Sequence, residues 1–260
     1  MELKLFGENY RVTAATMTGR RSENQDCYSL TATSTGTLRG NIMGEEFGPE
    51  ITDDRDLLFA AVCDGLGGWR NGDIASSFIA GGLAGWASSA PRSMDGMMSS
   101  LREESRRLDR RLMAEHPHSG TTLSAVIAAE GRWMSVHVGD SRCYRITGKD
   151  VWRTEDQSPV ERMFRDGEIT EDQMNTHSMS NILDHCFGDD GWEWLVTDDL
   201  GNDWDRLVLC SDGAFGYMSV SDFRSLLTSG LTAEEMMNEC YERGSTDNIT
   251  VLTLDRIRDT

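Results

Sequence analysis

Apolar residues recur along this chain in two rhythms. Short runs over 57–63 (LLFAAVC), 121–128 (TTLSAVIA), 133–138, 142–146, 206–210 and 248–254 (NITVLTL) have the length of strands. In the last run Ile249 and Val251 point to one side, Leu252 and Leu254 to the other. That predicts a strand covered on both faces. Helical spacing appears over 72–89, where Ile74, Phe78, Ile79, Leu83 and Trp86 form a stripe and Asp73 suits the N-cap. Residues 93–115 put Met94, Met97, Met98, Leu101, Leu108 and Leu112 on one stripe, with Arg102, Glu103, Arg106, Arg107 and Arg110 mostly elsewhere. Those methionines read as core filler. A shorter helix fits 232–242. Strands 121–146 and 206–254 read as antiparallel neighbours, the first group with short connections, which argues against a doubly wound parallel sheet. The polar, glycine-containing segment 31–56 reads as a surface excursion between two strands. With no repeat, low-complexity tract or linker, one domain over 1–260 is expected.

Charge narrows the function. The 260 residues carry a formal net charge of −19. Nucleic-acid binding driven by phosphate contacts needs Lys and Arg, and an anionic membrane surface repels such a chain. No stretch reaches the roughly 20 apolar residues of a membrane span. The start, MELKLFGENYRV, has charges where a signal peptide has its apolar core. The six cysteines form no CxxC pair, and Cys63 and Cys210 sit inside apolar runs as small hydrophobes. A reducing cytoplasm suits that pattern.

Three strand-like runs end in aspartate: Asp64 in LLFAAVCDGLGG, Asp140 in MSVHVGDSR and Asp212 in RLVLCSDG. Asp247, in STDNITV, stands just before a fourth. A lone carboxylate at a core edge is costly and tends to protonate. If the fold gathers these strand ends, either protonation or a divalent cation must relieve the repulsion, and an oxygen-only set suits Mg²⁺ or Mn²⁺. Glycines beside Asp64 and Asp212 let the backbone approach closely. The plainer alternative is that each aspartate caps a turn. That serves for any one of them better than for all four.

In chain order the motifs are RSENQD (21–26), DGLGG (64–68), SGTT (119–122), VGDSR (138–142), LCSDG (209–213) and STDN (245–248). Together they resemble the PPM, or PP2C-type, metal-dependent protein serine/threonine phosphatases, and the compact bacterial members best. The segment 154–181 is similar to that family's flap, placed at about 154–185. The resemblance implies an α+β fold, an αββα sandwich of two central antiparallel sheets flanked by helices, with a metal cleft at one end. It implies Mn²⁺ or Mg²⁺, two core ions and possibly a third, with Asp64 bridging them and the Gly65 carbonyl on one. Asp212 and Asp247 match the remaining ligands, Asp140 the looser third site, and Asp26 and Gln25 the surrounding shell. Arg21 matches the arginine that grips substrate phosphate with a planar fork. The implied chemistry is water attacking phosphorus, without a protein nucleophile, on phosphoserine or phosphothreonine in protein substrates, opposing a serine/threonine kinase.

Other phosphatase and hydrolase routes lack their signatures. None of the six cysteines has the Cys-x5-Arg loop, and no G-x-S-x-G occurs. The sequence departs from the family pattern at three places. Gln25 stands where many members have glutamate, Leu66 where eukaryotic members have a histidine, and Gln157 where a histidine is common. His137 reads as a packed strand residue, and His177 as a flap residue that could approach the cleft. The tryptophans read as packing or rim residues, and the acidic, aromatic stretch within 188–205 as a solvated loop or a partner surface. A pseudophosphatase that binds phosphoproteins without turnover is the alternative, and a small phosphomonoester is the alternative substrate.

Overall fold

The computed structural model describes residues 1–32, 36–41, 44–47, 56–66 and 71–258. Within segment 31–56, strands β4 (Gly36–Asn41) and β5 (Gly44–Phe47) are described. Residues 33–35, 42–43 and 48–55 of that excursion, and 67–70 at the first glycine motif, lie outside the described residues.

Strand β6 (Leu57–Asp64) shows how the layers arise. Leu57, Phe59, Ala61 and Cys63 turn to a helical layer, where they meet Ala75, Ile79 and Leu83 of α1 (Gly72–Ser89) and Met94, Met97 and Leu101 of α2 (Met94–Glu115). Leu58, Ala60 and Val62 turn the other way and pack against a second sheet, on Leu207, Leu209, Leu252 and Leu254. Strand β13 (Ile249–Ile257) mirrors this. Its Leu252 and Leu254 face the inter-sheet core, while Ile249 and Val251 meet Phe223, Met236 and Cys240 of the outer helices α6 (Val220–Leu227) and α7 (Ala233–Glu242). The two-sided reading of 248–254 holds.

All strand pairs are antiparallel. One sheet runs β1 (Glu2–Leu5), β2 (Glu8–Met17), β13, β12 (Arg206–Cys210), β9 (Arg142–Thr147), β10 (Asp150–Arg153). The other runs β11 (Val196–Asp199), β8 (Arg132–Val138), β7 (Leu123–Ala129), β6, β3 (Asp26–Ala32), β4, β5. The result is a helix–sheet–sheet–helix sandwich.

Several expectations need correction. Strands 121–146 are not one set of neighbours: β7 and β8 pair in one sheet, while β9 leaves at Gly139–Ser141 to pair with β12 in the other. Helix α1 is not capped by Asp73, which lies in its first turn; the N-cap is Asn71, in the left-handed region at φ 62°. Ile74 points outward, because the buried face is built from Ala75, Ile79, Leu83 and small residues between them. The reading of the tryptophans as packing or rim residues agrees with the structure here: Trp133 and Trp204 pack edge-to-face at 4.8 Å between the sheets, and Trp194 is half exposed. All six cysteines are free and buried. No helix among the described residues is long and apolar enough to cross a membrane.

Candidate active site

Seven separated segments of the chain meet at one edge of the sandwich and enclose a cavity of about 700 Å³. Arg21, Gln25, Asp64, Gly65, Leu66, Asp140, Asp212 and Asp247 all line it. The sequence-derived candidates are therefore gathered in one place, with Asp26 buried just behind them.

Each carboxylate is set by its own strand end. Asp64 closes β6, where its N–H donates to Thr122 Oγ1 at 3.0 Å and its carbonyl accepts from Thr121 Oγ1 at 2.8 Å. Thr122 also shares a 2.7 Å hydrogen bond with Ser141, next to Asp140. That is what the SGTT and VGDSR motifs do here: they tie the two aspartate loops together. Gly65 is packed so closely that a Cβ would lie 2.2 Å from the Gly72 carbonyl oxygen and 2.6 Å from that of Gln25. Gly139, at φ +95°, makes the turn that delivers Asp140. Asp212 opens the one-turn helix α5 (Asp212–Phe215) after β12. Asp247 precedes β13, and Arg21 donates to it at 2.6 Å.

Asn248 is a site residue that the sequence reading quoted without using. Its side-chain amide donates to the carbonyls of Thr18 and Glu23 at 2.9 and 2.8 Å, and its oxygen accepts from the Gln25 N–H at 2.8 Å. It thereby clamps the segment bearing Arg21 and Gln25 onto the start of β13. Its place beside Asp247 was the only available signal.

The electrostatics are those of crowded acids. Asp26 sits opposite Asp64 in the β3–β6 register. Its Oδ2 accepts from Ser211 at 2.7 Å, while Oδ1 is buried with no partner. Burial pushes its carboxyl up to about 7. Burial first, then the charges of Asp26, Asp212, Asp140 and Asp247, hold the Asp64 carboxyl well above the usual range. Asp140 is raised by burial and Asp212, and Asp212 reaches about 6 through burial and Asp247. Among the described residues no three His, Cys, Asp or Glu side chains stand as a ready-made ligand cage. The fit to hard divalent cations lies in the donor chemistry instead. The donors are carboxylate oxygens, raised first by burial and then by one another, with an orphaned acid oxygen behind them.

The segment 154–185, where the resemblance implies a flap, reaches this cavity through residues 181–185. Helix α3 (Pro159–Arg165) and helix α4 (Glu171–Met174) hang from a buried ionic cluster. In it Arg142 grips Asp156 with two bonds of 2.8 and 2.6 Å, and Arg153 reaches Glu161 and Glu171, each at 2.9 Å. Gln157 joins three parts. Its N–H and Oε1 bond the carbonyl and N–H of Gly139 at 2.9 and 3.1 Å, its carbonyl accepts from Asp184 N–H, and its Nε2 donates to the Trp194 carbonyl, both at 2.8 Å. The far wall, 186–192, is pinned by Asp109, a buried acid on α2 that accepts from Gly188 and Trp192 N–H. The sequence reading passed over Asp109 because it sits within the charged run of that helix. His177 accepts from its neighbour Met179 and is not among the cavity-lining residues; His185 lines the cavity instead. His137 is buried against the Glu155 carbonyl, as its strand position implied.

Gln157→Glu should expose this dependence. Glutamate keeps the acceptor for Gly139 but turns an oxygen toward the Trp194 carbonyl, losing a hydrogen bond at a cost of about 1–3 kcal/mol. Limited proteolysis should cut within 154–185 several times faster in the variant; an unchanged rate would contradict the latch.

Four aspartates and an arginine thus share one cleft at the edge of a helix–sheet–sheet–helix sandwich. The profile of the Protein phosphatase 2C family matches residues 46–248. Serine/threonine phosphatase stp of Listeria welshimeri is 31% identical over 236 residues, spanning 85% of this chain and 94% of the relative. Protein phosphatase PhpP of Streptococcus pneumoniae is 27% identical over 73% of this chain and 82% of its own. The crystal structure of Serine/threonine phosphatase Stp1 from Staphylococcus aureus superposes with a TM-score of 0.78 at 25% identity, covering 100% of this chain and 98% of that one. The chain belongs to the PP2C-type family of metal-dependent protein serine/threonine phosphatases.

Proposed function

We propose that residues 1–260 act as one phosphatase domain that removes phosphate from phosphoserine or phosphothreonine in proteins, opposing a serine/threonine kinase in the cytoplasm. The observation that carries this is the convergence of Asp64, Asp140, Asp212, Asp247 and Arg21 on one cavity from distant parts of the chain.

Asp64, the Gly65 carbonyl, Asp212 and Asp247 would hold two Mn²⁺ or Mg²⁺ ions, and Asp140 a third. Bound there, such ions make water nucleophilic at neutral pH and offset charge on phosphoryl oxygens. Gln25 and Asp26 shape the surrounding shell from behind. Arg21 is half exposed and its fork is engaged by a single carboxylate, so it is free to turn onto a phosphate. Leu66 lines the cavity where a histidine could have supplied a proton, so the leaving oxygen would take its proton from water or another group. The pseudophosphatase alternative loses its motive, because every expected ligand position keeps its aspartate.

Phosphate release from a phosphothreonine peptide in Mn²⁺ tests this. Arg21→Ala should lower kcat/KM about a hundredfold, the scale of losing one positioned donor to a developing charge. Arg21→Lys should recover little, because a point charge cannot replace the two-pronged contact. Equal turnover by Arg21→Ala would sink the assignment.

A further inference from the structure

Two strongly exposed apolar side chains stand at the mouth of this cleft. Among the described residues seven large apolar side chains are exposed, and Ile182 at 51% and Trp194 at 50% are the two most exposed of them. Ile182 and His185 line the same cavity as Asp64 and Asp212. Trp194 continues that wall, because the His185 ring lies flat on it, with centroids 3.8 Å apart and planes within 6°. Burial lowers the His185 pKa, so the ring tends to stay neutral and the stacked pair presents an uncharged face.

The lip is built rather than loose. Gln157 holds the Trp194 carbonyl and the Asp184 N–H, Arg162 pairs with Asp184, and Asp109 fixes the backbone at Gly188 and Trp192. An aromatic group fixed in advance loses little entropy when something packs on it. The charges around it select the occupant. Glu23, Asp184 and Asp189 also line the cavity, in a chain of net charge −19, so an acidic flank is repelled. Asp184 is already paired with Arg162, and the face that Ile182 and the His185–Trp194 stack present is apolar.

We propose that Ile182, His185 and Trp194 form a subsite that receives the side chain flanking the phosphorylated residue of a substrate protein, and that it selects a large apolar one. This rests on the phosphatase reading, whose phosphate end occupies the same cavity. The reacting group is then placed by Arg21 and the carboxylates, and the neighbouring residue by the lip.

The test compares two phosphothreonine peptides that differ only in carrying leucine or alanine on both sides of the phosphothreonine, in Mn²⁺. Wild type should favour the leucine peptide by about tenfold in kcat/KM, the scale of a few methylenes in an apolar pocket. Trp194→Ser should bring that ratio to within about twofold, Ile182→Ser should reduce it partly, and Trp194→Phe should keep most of it. Both residues are half exposed, so truncation leaves the core intact. A wild-type ratio near one, or a ratio unmoved in Trp194→Ser, overturns the lip alone. No turnover of either peptide by wild type overturns the phosphatase reading and the lip with it.

Discussion

Asp64→Asn is expected to abolish turnover while raising the melting temperature of the metal-free protein. Both effects come from the same crowding. The Asp64 carboxyl is held well above its ordinary range by burial and by four neighbouring aspartates, so its ionised form is a cost to the fold. An amide of the same shape removes that charge. The backbone bonds to Thr121 and Thr122 that place residue 64 are untouched. The expected gain is a few degrees, at roughly 2–4 °C per kcal/mol for a chain of this size. The cost falls on function, because a neutral amide is a far poorer ligand for a hard cation. Even a supporting residue behind a ligand is worth about 10–100-fold, so loss of a direct ligand, the role proposed for Asp64, should exceed a hundredfold. A variant that stays active, or one less stable than wild type in EDTA, would contradict this. Functional sites that cost stability are a common outcome of selection for activity.

The second large effect is on stability against pH. Asp26 is pushed to about 7, Asp212 to about 6 and Asp109 to about 6, in each case chiefly by burial, and Asp64 and Asp140 are also raised. Unfolded carboxyls release their protons near pH 4. Between pH 4 and 7 the folded chain therefore holds more protons than the unfolded one, and stability of the metal-free protein falls as pH rises through that window. His137 works the other way, since burial lowers its pKa and favours the neutral ring as pH rises. His185, also lowered by burial, acts with it, as do Glu115 and Glu235, lowered by their hydrogen bonds, while Glu161 and Asp255 join the buried carboxyls that are raised, and these are the larger set. Divalent cations compete for the same oxygens, so their stabilisation should grow as pH rises. A single ion at a hundred times its Kd adds about 2.7 kcal/mol. Melting in EDTA should thus come at higher temperature at pH 5.5 than at pH 8.0, and Mn²⁺ should raise the pH 8.0 value by roughly 5–10 °C. In Asp64→Asn both the slope and the Mn²⁺ gain should shrink. A metal-free protein more stable at pH 8.0 would contradict the picture of crowded acids.

Much of the site was legible because its residues lie at strand ends marked by glycine. Asp64, Asp140, Asp212, Asp247 and Arg21 were picked out by motif, and all of them line one cavity. The layering was legible in β6 and β13, where apolar residues on both faces require cover on both sides. Strands β1 and β2 were missed although Leu3, Leu5, Tyr10 and Val12 alternate with polar neighbours, because interspersed charges dilute the apolar signal. Strand β3 was missed because Ser29 and Thr31 are buried among its apolar residues. The split of β7–β8 from β9 was invisible, since a two-sheet sandwich and a single meander share the same local pattern. Gln157 and Asn248 show a different limit. Their roles consist of hydrogen bonds to backbone groups far away in sequence, and no local pattern encodes such partners.

The most direct test of the central claim is phosphate release from a phosphothreonine peptide by the wild-type chain, measured in EDTA and again after excess Mn²⁺ is added back. Turnover should be absent in EDTA and restored by Mn²⁺. Full turnover in excess EDTA would contradict the assignment of these aspartates to metal.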